Sequence, residues 1–198
     1  MSVRIDHVLY AVSDLEEGAA RLHDELGLAS IPGGQHPAWG TGNRIVPLGP
    51  DYVELVGVVD PDVATGSDFG RLVLGAGEGL IGWAVATDDI DAVADRLRLE
   101  IERGSRTRPD GLELAWRLAG VPESMRSGGA LPFFIQWEGA PELHPGGDPD
   151  AAPGIAWIEV AGDADELRGW LDGAELPVQF AAEGTGVTAA GIREGVLV

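Results

Sequence analysis

Two side chains able to work together stand far apart in this chain. His7 lies in Val3-Arg4-Ile5-Asp6-His7-Val8-Leu9-Tyr10-Ala11-Val12, and Glu54 lies in Tyr52-Val53-Glu54-Leu55-Val56. Both runs have the apolar, β-branched character of strands. Strand side chains alternate between faces, so His7 is expected to share a face with Val3, Ile5, Leu9 and Ala11, and Glu54 with Tyr52 and Val56. An ionised carboxylate among such neighbours needs a partner. Neutral imidazole and carboxylate suit Zn²⁺, Fe²⁺, Mn²⁺ or Ni²⁺. They equally suit one another, as a buried hydrogen-bonded pair.

Other candidates gather around these two. His36 sits in Gly33-Gly34-Gln35-His36-Pro37-Ala38-Trp39-Gly40, which reads as a loop, where functional groups concentrate. It is a candidate general base or substrate ligand, and Glu54 a second catalytic candidate. Asn43 and Arg44 open the next strand and are expected at the same pocket mouth, with Tyr52 beside Glu54. His144, in a Pro-flanked loop, is expected to cap the cavity. Arg106 and Arg108 precede a strand carrying Trp116 and Arg117. In a chain this acidic they read either as structural ion pairs or as an anchor for a carboxylate or phosphate on a small ligand.

The elements that must position these groups recur three times. Residues 3–12 read as a strand, after which Asp14 caps a helix with Glu17 in the capping-box position. Leu15, Ala19, Leu22 and Leu26 share one face of that helix, and Gly27 stops it. The pattern returns at residues 80–87, with Asp88 or Asp89 as cap and Ile90, Val93 and Leu97 as the buried stripe. It returns again at residues 155–161, with Asp163 as cap, Glu166 behind it, and Leu167, Trp170 and Leu171 facing inward. Strands are expected after each opening: 43–48 and 52–59; 112–118 and 131–137; 177–181, 186–190 and 192–198. Residues 60–75 are expected to hold a short helix.

These repeats divide the chain into residues 1–60, 79–138 and 154–198, with a Pro/Gly-rich connection over 139–153, all within one domain spanning 1–198. The fold class is α+β, with curled sheets and helices on their outer faces. Spacing alone also accommodates a ferredoxin-like arrangement. Aligning the helix-capping aspartates sets Gly82 and then Ala156 opposite His7. Gln136, or Glu138 two residues on, stands opposite Glu54, and Val196 does so in the third unit, with Glu194 nearby.

Composition removes several chemistries. The 198 residues contain no cysteine and no lysine, and all 13 basic residues are arginine. Thiolate nucleophiles, Cys-ligated metals, Schiff bases and a phosphate-loop lysine are therefore excluded. A formal charge of −20 opposes nucleic acid and anionic membranes. No apolar run is long enough to span a bilayer, and no basic, apolar leader precedes the first strand, so a cytoplasmic location is expected.

Five segments, taken in order, resemble the glyoxalase-like branch of the vicinal oxygen chelate superfamily. They are Ile5-Asp6-His7-Val8-Leu9-Tyr10-Ala11-Val12 with Asp14-Leu15; Gly33-Gly34-Gln35-His36-Pro37 with Gly40-Thr41-Gly42-Asn43; Leu48-Gly49 leading to Tyr52-Val53-Glu54-Leu55-Val56; Ser105-Arg106 with Arg108-Pro109-Asp110-Gly111; and Pro132-Phe133-Phe134-Ile135-Gln136-Trp137 with His144-Pro145. The resemblance implies paired βαβββ modules whose sheets curl into a cup. It also implies a divalent metal on strands of both modules, with His7 and Glu54 as ligands and Gln136 or water completing the shell. The family's isomerases, lyases and dioxygenases act on small molecules, whereas some members hold no metal and sequester a drug. A small-molecule ligand and a homodimer are the expected partners.

Overall fold

A computed structural model describes residues 2–107, 111–148, 151, 154–193 and 195–198; Arg108 and Glu194, both singled out above, lie outside them. Twelve strands and six α-helices are found among the described residues. The first unit runs β1 (Val3–Ala11), α1 (Leu15–Leu26), β2 (Ile31–His36), β3 (Thr41–Pro47) and β4 (Tyr52–Val58). Helices α2 (Pro61–Gly66) and α3 (Asp68–Ala76) lead to the second, β5 (Gly79–Thr87), α4 (Ile90–Leu97), β6 (Ile101–Thr107), β7 (Glu113–Ala119), α5 (Val121–Arg126) and β8 (Phe133–Glu138). The third comprises β9 (Ile155–Ala161), α6 (Ala164–Trp170), β10 (Val178–Phe180), β11 (Gly186–Ile192) and β12 (Gly195–Leu197).

The first two units form one eight-stranded sheet in the order β2-β3-β4-β1-β5-β8-β7-β6. Each half has the same wiring: its opening strand lies parallel to its last, and the two opening strands meet antiparallel at the centre. Strand twist curls such a sheet, and here the edges β2 and β6 come together, with an ideal Cβ on Gly34 lying 3.3 Å from Arg106 Cδ. The result is a nearly closed cup. The third unit is wired differently, as a four-stranded sheet β10-β9-β11-β12 in which β9 has β10 and β11 as neighbours.

Local chemistry accounts for the frame. Asp14, Asp89 and Asp163 each accept backbone N–H groups at the start of α1, α4 and α6, and Gly27 ends α1 at φ 67°. The outer face of the large sheet, the helices α1 and α6 and the small sheet share one apolar core, in which Val8, Val53, Trp83, Phe134 and Ile158 are fully buried. A second apolar cluster, including Leu9, Val56, Leu118, Phe133 and Ile135, lines the inside of the curl.

Three expectations are corrected. Residues 31–36 form a strand, so His36 ends β2 instead of sitting in a loop, and Arg106, which precedes the strand of Trp116 and Arg117 as expected, lies within a strand of its own, β6. Residues 61–76 form two helices, not one. The side-chain alternation of β1 also breaks. Its pairing with β5 shifts between Ile5 and His7, a β-bulge at Asp6. Val3 and Ile5 consequently pack with Val8 and Val12 in the outer core, while His7 and Leu9 face the cup.

Candidate active site in the cup

The bulge builds the site. It places two consecutive residues, Asp6 and His7, within reach of each other, an arrangement a regular strand forbids. Asp6 Oδ1 lies 2.7 Å from His7 Nδ1. The His7 ring is stacked on Tyr52, with centroids 4.5 Å apart at 19°, and meets the edge of Phe133 at 5.5 Å. One nitrogen is thus committed to Asp6, the ring is clamped, and Nε2 points toward Glu54 Oε2 at 3.6 Å. That distance is too long for the direct His–Glu hydrogen bond anticipated above.

Asp6 has no exposed surface. Its carboxylate also accepts from Trp137 Nε1 at 3.2 Å and from His144 Nε2 at 2.9 Å. Burial alone pushes the Asp6 pKa up. Hydrogen bonds from His144 and His7, with the charges those rings can carry, outweigh it and hold the carboxyl well below the usual carboxylate range. His144 Nδ1 accepts the Gly146 N–H at 3.0 Å, so its remaining proton goes to Asp6. His144 therefore backs the site from behind Asp6 and does not cap the cavity. The connecting segment reaches this place because Gly49 N–H bonds Gly146 O at 3.0 Å, and Asp51 accepts from Gly154 and Ile155 at 3.0 and 3.1 Å.

A second chain of contacts holds Glu54. Pairing of β2 with β3 shifts between Pro32 and Gln35, and an ideal Cβ on Gly33 would lie 2.0 Å from Asn43 Oδ1. Only glycine lets Asn43 lie so close. Asn43 Oδ1 accepts the Gly34 N–H at 2.6 Å, and its Nδ2 donates to Glu54 Oε1 at 2.6 Å. The same amide lies 3.4 Å from His36 Nε2, while His36 Nδ1 is 3.0 Å from Thr41 Oγ1. Burial lowers the His36 pKa; Glu54 opposes this and Arg106 reinforces it. Neutral His36 donates to Thr41 and accepts from Asn43. Burial, with the charges of Asp6 and Glu54, raises the Tyr52 pKa well above 10, so the phenol keeps its proton.

The cavity these residues border holds about 660 Å³ of empty space including its mouth. One wall is polar, with His7, His36, Asn43, Tyr52 and Glu54; the facing wall is Trp116, Leu118, Phe133, Ile135 and Trp137, and Arg106 also lines the space. Besides His144, three anticipated substrate ligands are not brought here. Arg44 reaches back to Ser30 and Glu16 of α1. Arg117 pairs with Asp91 and Gln136, and Gln136 in turn caps α4 through Ile90 N–H and Asp88 O. The reason is parity: on β8 Phe133, Ile135 and Trp137 face the cup, so Gln136 faces out. Among the described residues no group of three His, Asp or Glu is placed to hold a metal ion. The second-half residues that line the cavity with His7 and Glu54 include Leu118, Phe133 and Ile135, whose side chains offer no donor, so the described residues do not fit a metal held from both halves of the cup.

Asp6 was not among the residues singled out from the sequence. Its signal was a carboxylate next to His7 in a strand whose other residues, Arg4 apart, are apolar or aromatic.

Residues 5–175 match the family described as glyoxalase-like domain. The chain belongs to that family. Solved structures agree on the fold. A hypothetical protein from Staphylococcus aureus superposes with a TM-score of 0.72 at 16% identity, over 98% of each chain. The methylmalonyl-CoA epimerase of Mycobacterium tuberculosis gives 0.50 at 23% identity, over 71% of this chain and 90% of that one. A variant of the Streptomyces coelicolor methylmalonyl-CoA epimerase, in complex with 2-nitronate-propionyl-CoA, gives 0.52 at 20% identity, over 69% and 98%. No curated protein matches the chain. No helix among the described residues is long and apolar enough to cross a membrane.

Proposed function

We propose that the cup is the active site of a proton-transferring small-molecule enzyme, an isomerase or lyase acting at a carbon beside a carbonyl. The observation that carries this is the buried Asp6–His7 pair. Ionised Asp6 holds the His7 proton on Nδ1 and leaves the Nε2 lone pair facing the cavity, 3.6 Å from Glu54. Such a carboxylate orients an imidazole and stabilises the imidazolium that forms when it takes a proton. Glu54, held by Asn43, is the second proton carrier. Arg106 supplies positive charge to the lining, where negative charge develops on the substrate oxygen. Epimerases built on this fold make such chemistry one the cup can house.

His7 and Glu54 stand together on one wall of the cup. The apolar wall opposite them favours a second reading, a protein that sequesters an apolar molecule. One experiment divides proton transfer from sequestration. Small ketones and thioesters are incubated with the protein in D₂O, and deuterium at the α-carbon is followed by NMR. Proton transfer gives deuterium incorporation by the wild-type protein, reduced at least about 100-fold in His7→Gln. Compounds that bind the cup, seen by quenching of its tryptophans, yet gain no deuterium would overturn the enzyme reading in favour of sequestration.

A further inference from the structure

The apolar side of the cup does not end at Phe133. A smaller space, about 270 Å³ including what opens to solvent, adjoins it, and Leu9, Phe69, Val121 and Phe133 border both. Its floor is Ile81 and Gly82 of β5, and its roof comes from α3 and α5, through Leu72 and Met125. Beyond the roof an open groove between these two helices shares Phe69, Leu72, Val121 and Met125 with the cavity. Where the groove meets solvent, Arg71 and Arg126 are each held by a carboxylate of their own helix, Asp68 and Glu123. Cup, cavity and groove thus share their boundaries in sequence.

Gly82 makes the room. A neighbouring glycine, Gly129, has φ 85° and would place a Cβ 2.8 Å from Ile81 O, so backbone geometry demands glycine there. Gly82 is under no such demand. A Cβ on it would meet nothing nearer than Ser124 Oγ at 3.9 Å and Leu9 Cδ1 at 4.0 Å, in ordinary backbone geometry. A side chain would start without a clash there, and would grow into the smaller cavity.

We propose that the ligand of this cup carries an unbranched apolar tail. The tail lies over Gly82 between α3 and α5, and the carbonyl end meets His7 and Glu54. This deepens the proton-transfer reading and rests on it for the placement of the carbonyl end. The four side chains that border both spaces, Leu9, Phe69, Val121 and Phe133, are all apolar, which suits a methylene chain. Each methylene moved there from water is expected to tighten binding roughly two- to fourfold.

The test is a series of linear 2-alkanones, from butanone to decanone, titrated into the purified protein with tryptophan fluorescence as readout. Affinity is expected to rise roughly two- to fourfold per carbon through the middle of the series, then level off as the tail leaves the groove. Gly82→Leu is expected to flatten that rise while the fold, checked by circular dichroism and thermal midpoint, is retained. Val121→Phe enlarges, from the α5 side, a side chain that borders both spaces and is expected to flatten it too. A flat series in the wild-type protein, or an unchanged slope in both variants, overturns the tail. A rising slope without α-deuteration sinks the proton chemistry and leaves the tail standing. Deuteration with a flat slope does the reverse.

Discussion

Asp6 decides what His7 can do. Removing the charge while keeping the shape tests it: Asp6→Asn replaces a carboxylate that accepts from two imidazoles and an indole. Since hydrogen bonds to a charged group contribute about 1.5–3 kcal/mol each, a loss of at least about 2 kcal/mol in urea denaturation at pH 7 is expected. The loss has a pH signature. The Asp6 carboxyl is held below its ordinary value of 3.8 in the folded protein. Its stabilisation is therefore complete above that value and fades as pH falls below it, where the unfolded chain takes up the proton first. The gap between wild type and Asp6→Asn should be wide at pH 7 and shrink below about pH 4. A gap that stays constant down to pH 3 would show that the carboxylate's charge is not what holds the ring. His7, Glu54 and His36 were legible as polar groups in apolar or glycine-bracketed surroundings. Asp6 was not, because strict alternation puts it on the opposite face from His7.

At the level of elements, two irregular strands account for most of the difference between expectation and structure. Capped helices and strand openings were readable because Asp14, Asp89 and Asp163 act locally. Strand β2 was hidden by Pro32, Gly33 and Gly34, which lower strand propensity, yet those glycines let Asn43 reach Glu54. Gly33→Ala would set a Cβ 2.0 Å from Asn43 Oδ1 and 2.7 Å from Asn43 O. Because the second of these is backbone, the strand itself must move. A loss of about 1–3 kcal/mol is expected, with a change in the fluorescence of Trp39, whose ring lies 5.5 Å from that of His36. Retention of wild-type stability and emission would show that β2 shifts without cost. The faces of Gln136, Arg117 and Arg44 were misjudged for a related reason. Residue type gives no register, and a one-residue slip exchanges cup for exterior.

Across the whole molecule, the charge is as informative as the fold. Arg44, Arg117, Arg71, Arg126 and Arg168 all pair with carboxylates, yet a net charge of −20 remains and acts against the compact state. Raising NaCl from about 0.01 M to about 1 M shortens the screening length from about 30 Å to about 3 Å. The thermal midpoint is expected to rise over that range; a fall would show that the ion pairs outweigh the repulsion. The cup itself is lopsided: among the described residues His7, His36, Tyr52 and Glu54 lie on the wall made by β1 to β4, and the wall facing it is apolar apart from Arg106 of β6. A flat, sp²-hybridised intermediate lying between those walls can be reached by a proton on one of its two sides only. In the proton transfer proposed above, loss and return of the proton then occur on the same side, so a hydrogen that migrates between carbons stays on that face, and a carbon that regains its own proton keeps its configuration.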